Sequence, residues 1–249
     1  MNLCSGAWRQ PLEPMIRAIL FDLDNTLTDF MKMKDASILA AVEGMIDMGL
    51  PIRREEARER IYAIYDREGI EYQKVFDRFL QQELGTVDPS LLAAGIVGYR
   101  RARDSYLVLY PHVRPTLTHL LRRGIRLAVL SDAPALQAWL RLHHLALHHI
   151  FEFVITFDDT QERKPSPVGF RKALELLHVD PAEVLMVGDW PERDMVGASR
   201  FGIRTVFARY GDTKGVVNSG ADFEIDDIQE LLAVVDRLNQ GSCESRCSS

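Results

Sequence analysis

Two carboxylates, Asp22 and Asp24, close the apolar run that begins at Ile16, and a hydroxyl, Thr26, follows at the next-but-one position. Asp is disfavoured in strands and in cores, so folding alone gives no reason to place two of them there. Alternate residues of a strand share a face, so both acids can point into one cavity unless the chain turns the second aside as it leaves the strand. Like charges about 4 Å apart repel by roughly 4 kcal/mol at an effective dielectric of about 20, and a divalent cation between them reverses that sign. The competing reading is that the acids merely open a turn or cap the next helix, as Asp and Asn often do.

Later apolar runs end in the same way. Ile125 to Leu130 leads into Ser131-Asp132, the loop around Arg163-Lys164-Pro165 supplies an ammonium, and Val184 to Val187 ends at Gly188-Asp189 with Asp194 five residues on. Ligands of parallel, doubly wound sheets bind at the carboxyl ends of the strands. Several acids with one hydroxyl and one ammonium at such ends suit phosphoryl transfer to a carboxylate nucleophile assisted by Mg²⁺. Taken singly, Ser131 reads equally as a helix N-cap and Lys164 as a solvated loop residue.

The elements that must position these groups are legible as periodicity. The pattern after Asp29 is helical, with stripes at Ile38, Val42, Met45, Ile46 and Gly49, at Ala57, Ile61, Ile64 and Tyr65, at Tyr72, Val75, Phe76, Phe79 and Leu80, and from Pro89 through Leu92, Ile96 and Tyr99. Four amphipathic helices with no strand between them predict a small bundle. From about Tyr110 the text alternates: helix Val113 to Arg123 closed by Gly124, strand Ile125 to Leu130, helix near Leu136 to Leu142, strand Phe153 to Thr156 and helix Val168 to His178. It continues with strand Val184 to Val187, a helix around Asp194 to Phe201, strand Ile203 to Phe207, a short strand at Phe223 to Ile225 and helix Ile228 to Leu238. The fold class is therefore α/β, a doubly wound parallel Rossmann-like sheet with an inserted α-helical bundle as a cap. Residues 15–30 and 110–238 form the core, 31–109 the cap, and 1–14 and 239–249 are tails. Hinges are expected near Phe30 to Lys32 and Leu109 to His112.

Composition narrows the function classes. The formal net charge of −6 leaves no broad cationic surface for nucleic acid or anionic lipid. No apolar run is long enough to span a bilayer, and the first residues lack a signal-peptide core, so a cytoplasmic location is expected. Three cysteines, Cys4, Cys243 and Cys247, cannot staple a framework. His143, His144, His148 and His149 imitate a zinc cluster, but without a nearby Cys they read as solvated surface. Arg100, Arg101 and Arg103 read as a solvated helix face with a lesser alternative of attracting phosphate, and Trp190 and Pro191 as loop packing or the edge of a pocket.

The segments Asp22-Leu-Asp24-Asn-Thr26, Ser131, Lys164-Pro165 and Gly188-Asp189-Trp-Pro-Glu-Arg-Asp194 occur in the order of the four signatures of the haloacid dehalogenase superfamily, which the sequence resembles from Ile16 to about Tyr210. The helical insertion resembles that superfamily's first cap class. The resemblance implies that Asp22 attacks phosphorus to form an aspartyl-phosphate, and that Asp24 protonates the leaving oxygen and then deprotonates water. It implies Mg²⁺ held by Asp22, the backbone carbonyl of Asp24 and Asp189, with Asp194 a further ligand or the holder of a metal-bound water. Ser131 would hydrogen-bond a phosphoryl oxygen and Lys164 offset its charge. Asp132 would touch substrate or cap the following helix, and Thr26 would fix its turn. The dehalogenase branch has no acid at the position of Asp24, because a halide leaves without a proton. The expected activity is thus hydrolysis of a small phosphorylated metabolite, with a phosphomutase, a dehalogenase or a non-enzymatic phospho-accepting switch as alternatives. Relatives with this cap class act on sugar, triose, nucleotide and flavin phosphates, and fold kinship does not choose among them.

Overall fold

A computed structural model describes residues 15–244 of the chain. The proposed tail 1–14, with Cys4, and the final residues with Cys247 lie outside the described residues. Six parallel strands make one sheet in the order β3-β2-β1-β4-β5-β6. They are β1 (Ala18–Phe21), β2 (Arg126–Leu130), β3 (Val154–Ile155), β4 (Val184–Gly188), β5 (Arg204–Ala208) and β6 (Phe223–Ile225). Strand order reverses direction between β1 and β4, and that switch point opens a crevice at the carboxyl ends of the two.

The central strand shows why it reads as nearly continuous apolar text: both faces are covered. Ile19 and Phe21 enter the core beneath α5 (Val113–Arg122), α6 (Ala135–His144) and α10 (Leu231–Glu244). Ala18 and Leu20 enter the core beneath α8 (Pro167–Leu177) and α9 (Asp194–Ser199). All four are fully buried, as parallel sheets require.

Between β1 and α5 the chain forms α1 (Phe30–Asp47), α2 (Arg54–Glu68), α3 (Val75–Leu84) and α4 (Pro89–Tyr106), with a core of their own around Ile38, Met45, Ile61, Ile64 and Phe79. Asp88 begins α4 by accepting from the backbone N–H of Ser90 and Leu91, with Pro89 in the first turn. Small residues let α1 and α4 touch along their length: a Cβ on Gly98 would lie 2.4 Å from the carbonyl oxygen of Ala40. The two crossings into these helices are tied together, since Thr28 bridges Leu109 and its hydroxyl donates to the carbonyl of Val108 at 2.7 Å. Phe30 to Lys32 already form the first turn of α1.

Two expectations need correction. The third strand is only Val154–Ile155, because Thr156 leaves it to cap a short helix, α7 (Phe157–Thr160), in a capping box with Asp159. The last helix follows a 3-10 turn at Ile228–Glu230 and continues to Glu244, beyond the expected end at Leu238.

Candidate active site

Parallel pairing fixes the floor of the crevice. Phe21 lies opposite Val129 of β2 and Val187 of β4, and the backbone N–H of Asp22 donates to the carbonyl of Val187 at 2.9 Å. The next side chains out of those strands, Asp22, Ser131 and Asp189, are consequently neighbours. All three are buried. Lys164 reaches them from the loop before α8, its ammonium 2.5 Å from Asp22 Oδ1, 2.6 Å from Asp194 Oδ1 and 3.0 Å from the carbonyl of Leu130.

The carboxylates of Asp22, Asp189 and Asp194 each place an oxygen within 4.8 Å of the others. Asp194 accepts from the backbone N–H of Trp190 at 3.1 Å and lies directly over Gly188, where a Cβ would come 2.3 Å from Asp194 Oδ2. Asp189 accepts from the hydroxyl of Thr26 at 3.4 Å, and Tyr210 donates to the carbonyl of Thr26 at 2.8 Å. Gly211 is obligatory beside this turn, because a Cβ there would overlap the carbonyl oxygen of Asn25 at 1.7 Å.

Three acids against one ammonium leave an excess of two negative charges when all are ionised. Burial raises the pKa of Asp22, Lys164 pulls it down and Asp194 pushes it up again, with the balance well above the ordinary carboxylate range. Burial, then Asp22 and Asp194, raises Asp189, and burial likewise raises Asp194 against the pull of Lys164. For Lys164 burial alone would lower the pKa, and the carboxylates of Asp194, Asp22 and Asp132 outweigh it and hold the ammonium charged. The donor set is all carboxylate oxygen with a dication's worth of uncompensated charge, which fits Mg²⁺.

Ser131 accepts from the N–H of Ala133 at 3.1 Å, which leaves its O–H to donate. Asp132 does not cap the following helix. Its Oδ1 accepts from the backbone N–H of Lys164 at 2.9 Å and its Oδ2 from Arg193 at 3.1 Å, while Pro134 occupies the N-cap of α6. Asp132 therefore pins the two loops that carry Lys164 and Asp194.

Asp24 leaves this group. Its carboxylate turns toward Arg141 of α6, 3.1 Å from Nη1, and Arg141 in turn pairs with Glu71 from the loop between α2 and α3. The guanidinium also stacks over Phe30, 4.5 Å from the ring centre. Burial pushes Asp24 up to about 6 although Arg141 pulls it down, with Glu71 adding to the rise. Sequence reading missed Arg141, Glu71 and Lys34. For Arg141 and Lys34 a signal existed: each is a charge on the apolar stripe of its helix, Arg141 with Ala138 and Leu142, Lys34 with Phe30 and Ile38. Glu71 sits in a loop without periodicity.

The histidines are exposed, with His143 and His148 stacked at 4.2 Å, and among the described residues the acid trio is the one group placed to hold a metal. Trp190 lies between two cations, Arg193 at 3.5 Å and Lys214 at 3.2 Å from its ring centre. Arg100 and Arg103 border a cavity against α1 and α6.

A six-stranded, doubly wound, Rossmann-like sheet delivers buried acids and a lysine to one crevice, and residues 16–202 match the haloacid dehalogenase-like hydrolase family. The chain belongs to that family and is an enzyme of its phosphatase branch. It is 34% identical over 233 residues to a glyceraldehyde 3-phosphate phosphatase of Pyrococcus abyssi, covering 92% of this chain and 98% of the relative. A ribulose-1,5-bisphosphate 5-phosphatase of Halopiger xanaduensis is 28% identical, covering 89% of this chain and all of its own length. Among solved structures, a phosphatase of the same family from Thermococcus onnurineus aligns with a TM-score of 0.65 at 29% identity, over 88% of this chain and 98% of the other. No described helix is long and apolar enough to cross a membrane.

Proposed function

We propose that the chain hydrolyses a small phosphate monoester with Mg²⁺, through an aspartyl-phosphate on Asp22. The observation that carries this reading is the crowding of Asp22, Asp189 and Asp194 around a single ammonium, a negative excess that a dication offsets so that an anionic phosphoryl group can approach. Asp22, Asp189, Asp194 and the backbone carbonyl of Asp24 would hold Mg²⁺, which supplies charge neutralisation and alignment for phosphoryl transfer.

Asp22 attacks phosphorus as its neighbour Lys164 compensates the charge of nucleophile and ester. Ser131 donates its O–H to a phosphoryl oxygen. Asp24, held apart from the acid trio and raised by burial to about 6, close enough to neutrality to give and take a proton, protonates the leaving oxygen and takes a proton from the water that hydrolyses the acyl phosphate. Residues 15–30 and 110–238 serve as catalytic core and 31–109 as a cap that shields the crevice from water. The relatives named for triose and pentose phosphates support a small sugar-type ester as substrate. An acidic chain with three cysteines fits work on such metabolites in the cytoplasm.

Replacing Asp22 by Asn should lower turnover of p-nitrophenyl phosphate in Mg²⁺ by at least ~10⁴-fold while far-UV circular dichroism stays unchanged. Turnover within tenfold of wild type would remove Asp22 as the nucleophile.

A further inference from the structure

A cavity of about 690 Å³ lies between α1, α4 and α6, beside Asp24, and its walls bring together Phe30, Lys34, Tyr65, Glu71, Tyr99 and Arg141. Arg141 lines this space and also pairs with the Asp24 carboxylate at 3.1 Å, so the cavity is the neighbouring room for the remainder of an ester whose leaving oxygen meets Asp24. The phosphoryl end is placed by the reading given under the proposed function, on which this inference rests.

Lys34 is the unusual wall residue. It is only 4% exposed, and its ammonium lies 4.2 Å from the ring centre of Tyr65, 5.5 Å from Tyr99 and 6.0 Å from Phe30. Aromatic faces attract a cation but do not discharge it. The cavity's nearest acid, Glu71, is engaged by Arg141, and no carboxylate of the described residues stands within 4.0 Å of the Lys34 ammonium. A buried charge without a partner is costly, and burial lowers the Lys34 pKa to about 8 although Glu71 pulls it up. Arg100 adds a further cation at the rim.

We propose that the cavity takes the leaving-group half of a substrate that bears a second anionic oxygen group, and that Lys34 receives that group. The ammonium would then gain the partner it lacks, with Tyr65 and Tyr99 excluding water from the pair. An ester whose remainder is neutral would leave Lys34 as it stands and gain nothing from it. Lys34 is thus a specificity-determining residue, and the preferred ligand class is a phosphate ester that also carries a carboxylate or a second phosphate.

Binding and turnover are read separately. Calorimetry with Ca²⁺ in place of Mg²⁺, so that the acid trio holds a dication while turnover is suppressed, compares 3-phosphoglycerate with glycerol 3-phosphate, which differ by a carboxylate in place of a hydroxymethyl group, and fructose 1,6-bisphosphate with fructose 6-phosphate. Wild type should bind the doubly anionic member of at least one pair about tenfold or more tightly than its partner. Lys34→Met, which keeps the volume, should bring that ratio near one, and Lys34→Arg should retain most of it. The pair that responds tells a carboxylate from a phosphate. Equal binding within both pairs in wild type, or a ratio unchanged in Lys34→Met, overturns the proposal, whatever the turnover with Mg²⁺. A preserved ratio in a chain that hydrolyses none of the four esters would strike the phosphatase reading and leave the anion site standing.

Discussion

Two charged clusters sit within a few residues of each other on the segment from Asp22 to Lys34, and they are opposite in kind. At the strand ends Asp22, Asp189 and Asp194 outnumber Lys164, so that cluster is short of positive charge. At the boundary with α1–α4, Arg141 and Lys34 balance Asp24 and Glu71 in number, but Arg141 takes both acids and the Lys34 ammonium is left facing a cavity without a carboxylate of its own. The difference teaches how one crevice can orient a ligand: a cation belongs at the floor and an anion at the roof. Their construction differs too. The floor is assembled from strands in fixed parallel register, whereas the roof joins α1, α6 and the loop after α2 and exists only while those elements stay docked.

The comparison breaks first at Lys164. Lys164→Met would leave three buried acids with no ammonium, and turnover with Mg²⁺ should fall by ~10³-fold or more. Stability in EDTA should fall by about 3–5 kcal/mol, because removing one partner strands the others. Urea unfolding with and without Mg²⁺ checks it, and the metal should restore part of the loss. A metal-free variant as stable as wild type would mean that the floor holds its acids protonated and has no charge deficit.

Arg141→Met tests the roof and should cost less. Asp24 and Glu71 would both lose their partner, and kcat/KM for a generic phosphate ester should drop by ~10–100-fold, with the gain in melting temperature on adding Mg²⁺ kept. Steady-state kinetics and thermal melts separate the two variants. If Arg141→Met also lost the response to Mg²⁺, floor and roof would be one electrostatic unit.

The same division explains what could be read without coordinates. Asp22, Asp24 and Asp189 stood out because an acid at the end of an apolar run contradicts the propensity of its surroundings, whereas Ser131, Lys164 and Asp194 stood out only in company with them, as groups near the carboxyl ends of parallel strands. The sheet and the helices of the insertion were legible for the related reason that periods of 2 and 3.6 residues survive in the text. The roof was not, because Arg141, Glu71 and Lys34 meet only through the docking of one helical core on another, and no local pattern encodes that contact. The alternative that Asp132 caps the next helix failed for the same reason: its partners, the Lys164 backbone and Arg193, come from distant loops. The extent of β3 was obscured by Thr156, a good strand residue whose hydroxyl and backbone N–H are taken by Asp159 to start a helix instead.

The finest test uses pH. Burial, tempered by Lys164 and reinforced by Asp194, puts Asp22 at about 7, and burial with Asp22 and Asp194 puts Asp189 at about 9, both above the ordinary 3.8. A carboxyl group whose folded pKa is raised favours the fold at low pH, and that contribution is lost as pH climbs through the folded value. Metal-free protein should therefore melt at a lower temperature at about pH 8.5 than at about pH 5.5. Mg²⁺ needs the ionised forms, so its stabilisation should run the other way, reaching ~2–3 kcal/mol or about 5–10 °C at the higher pH and much less at the lower. Asp189→Asn should abolish most of that gain, whereas Asp24→Asn, whose carboxylate belongs to the roof, should keep it. Equal losses in the two variants would place the Asp24 side chain in the floor, and the separation of the clusters would then fail at the residue where they come closest.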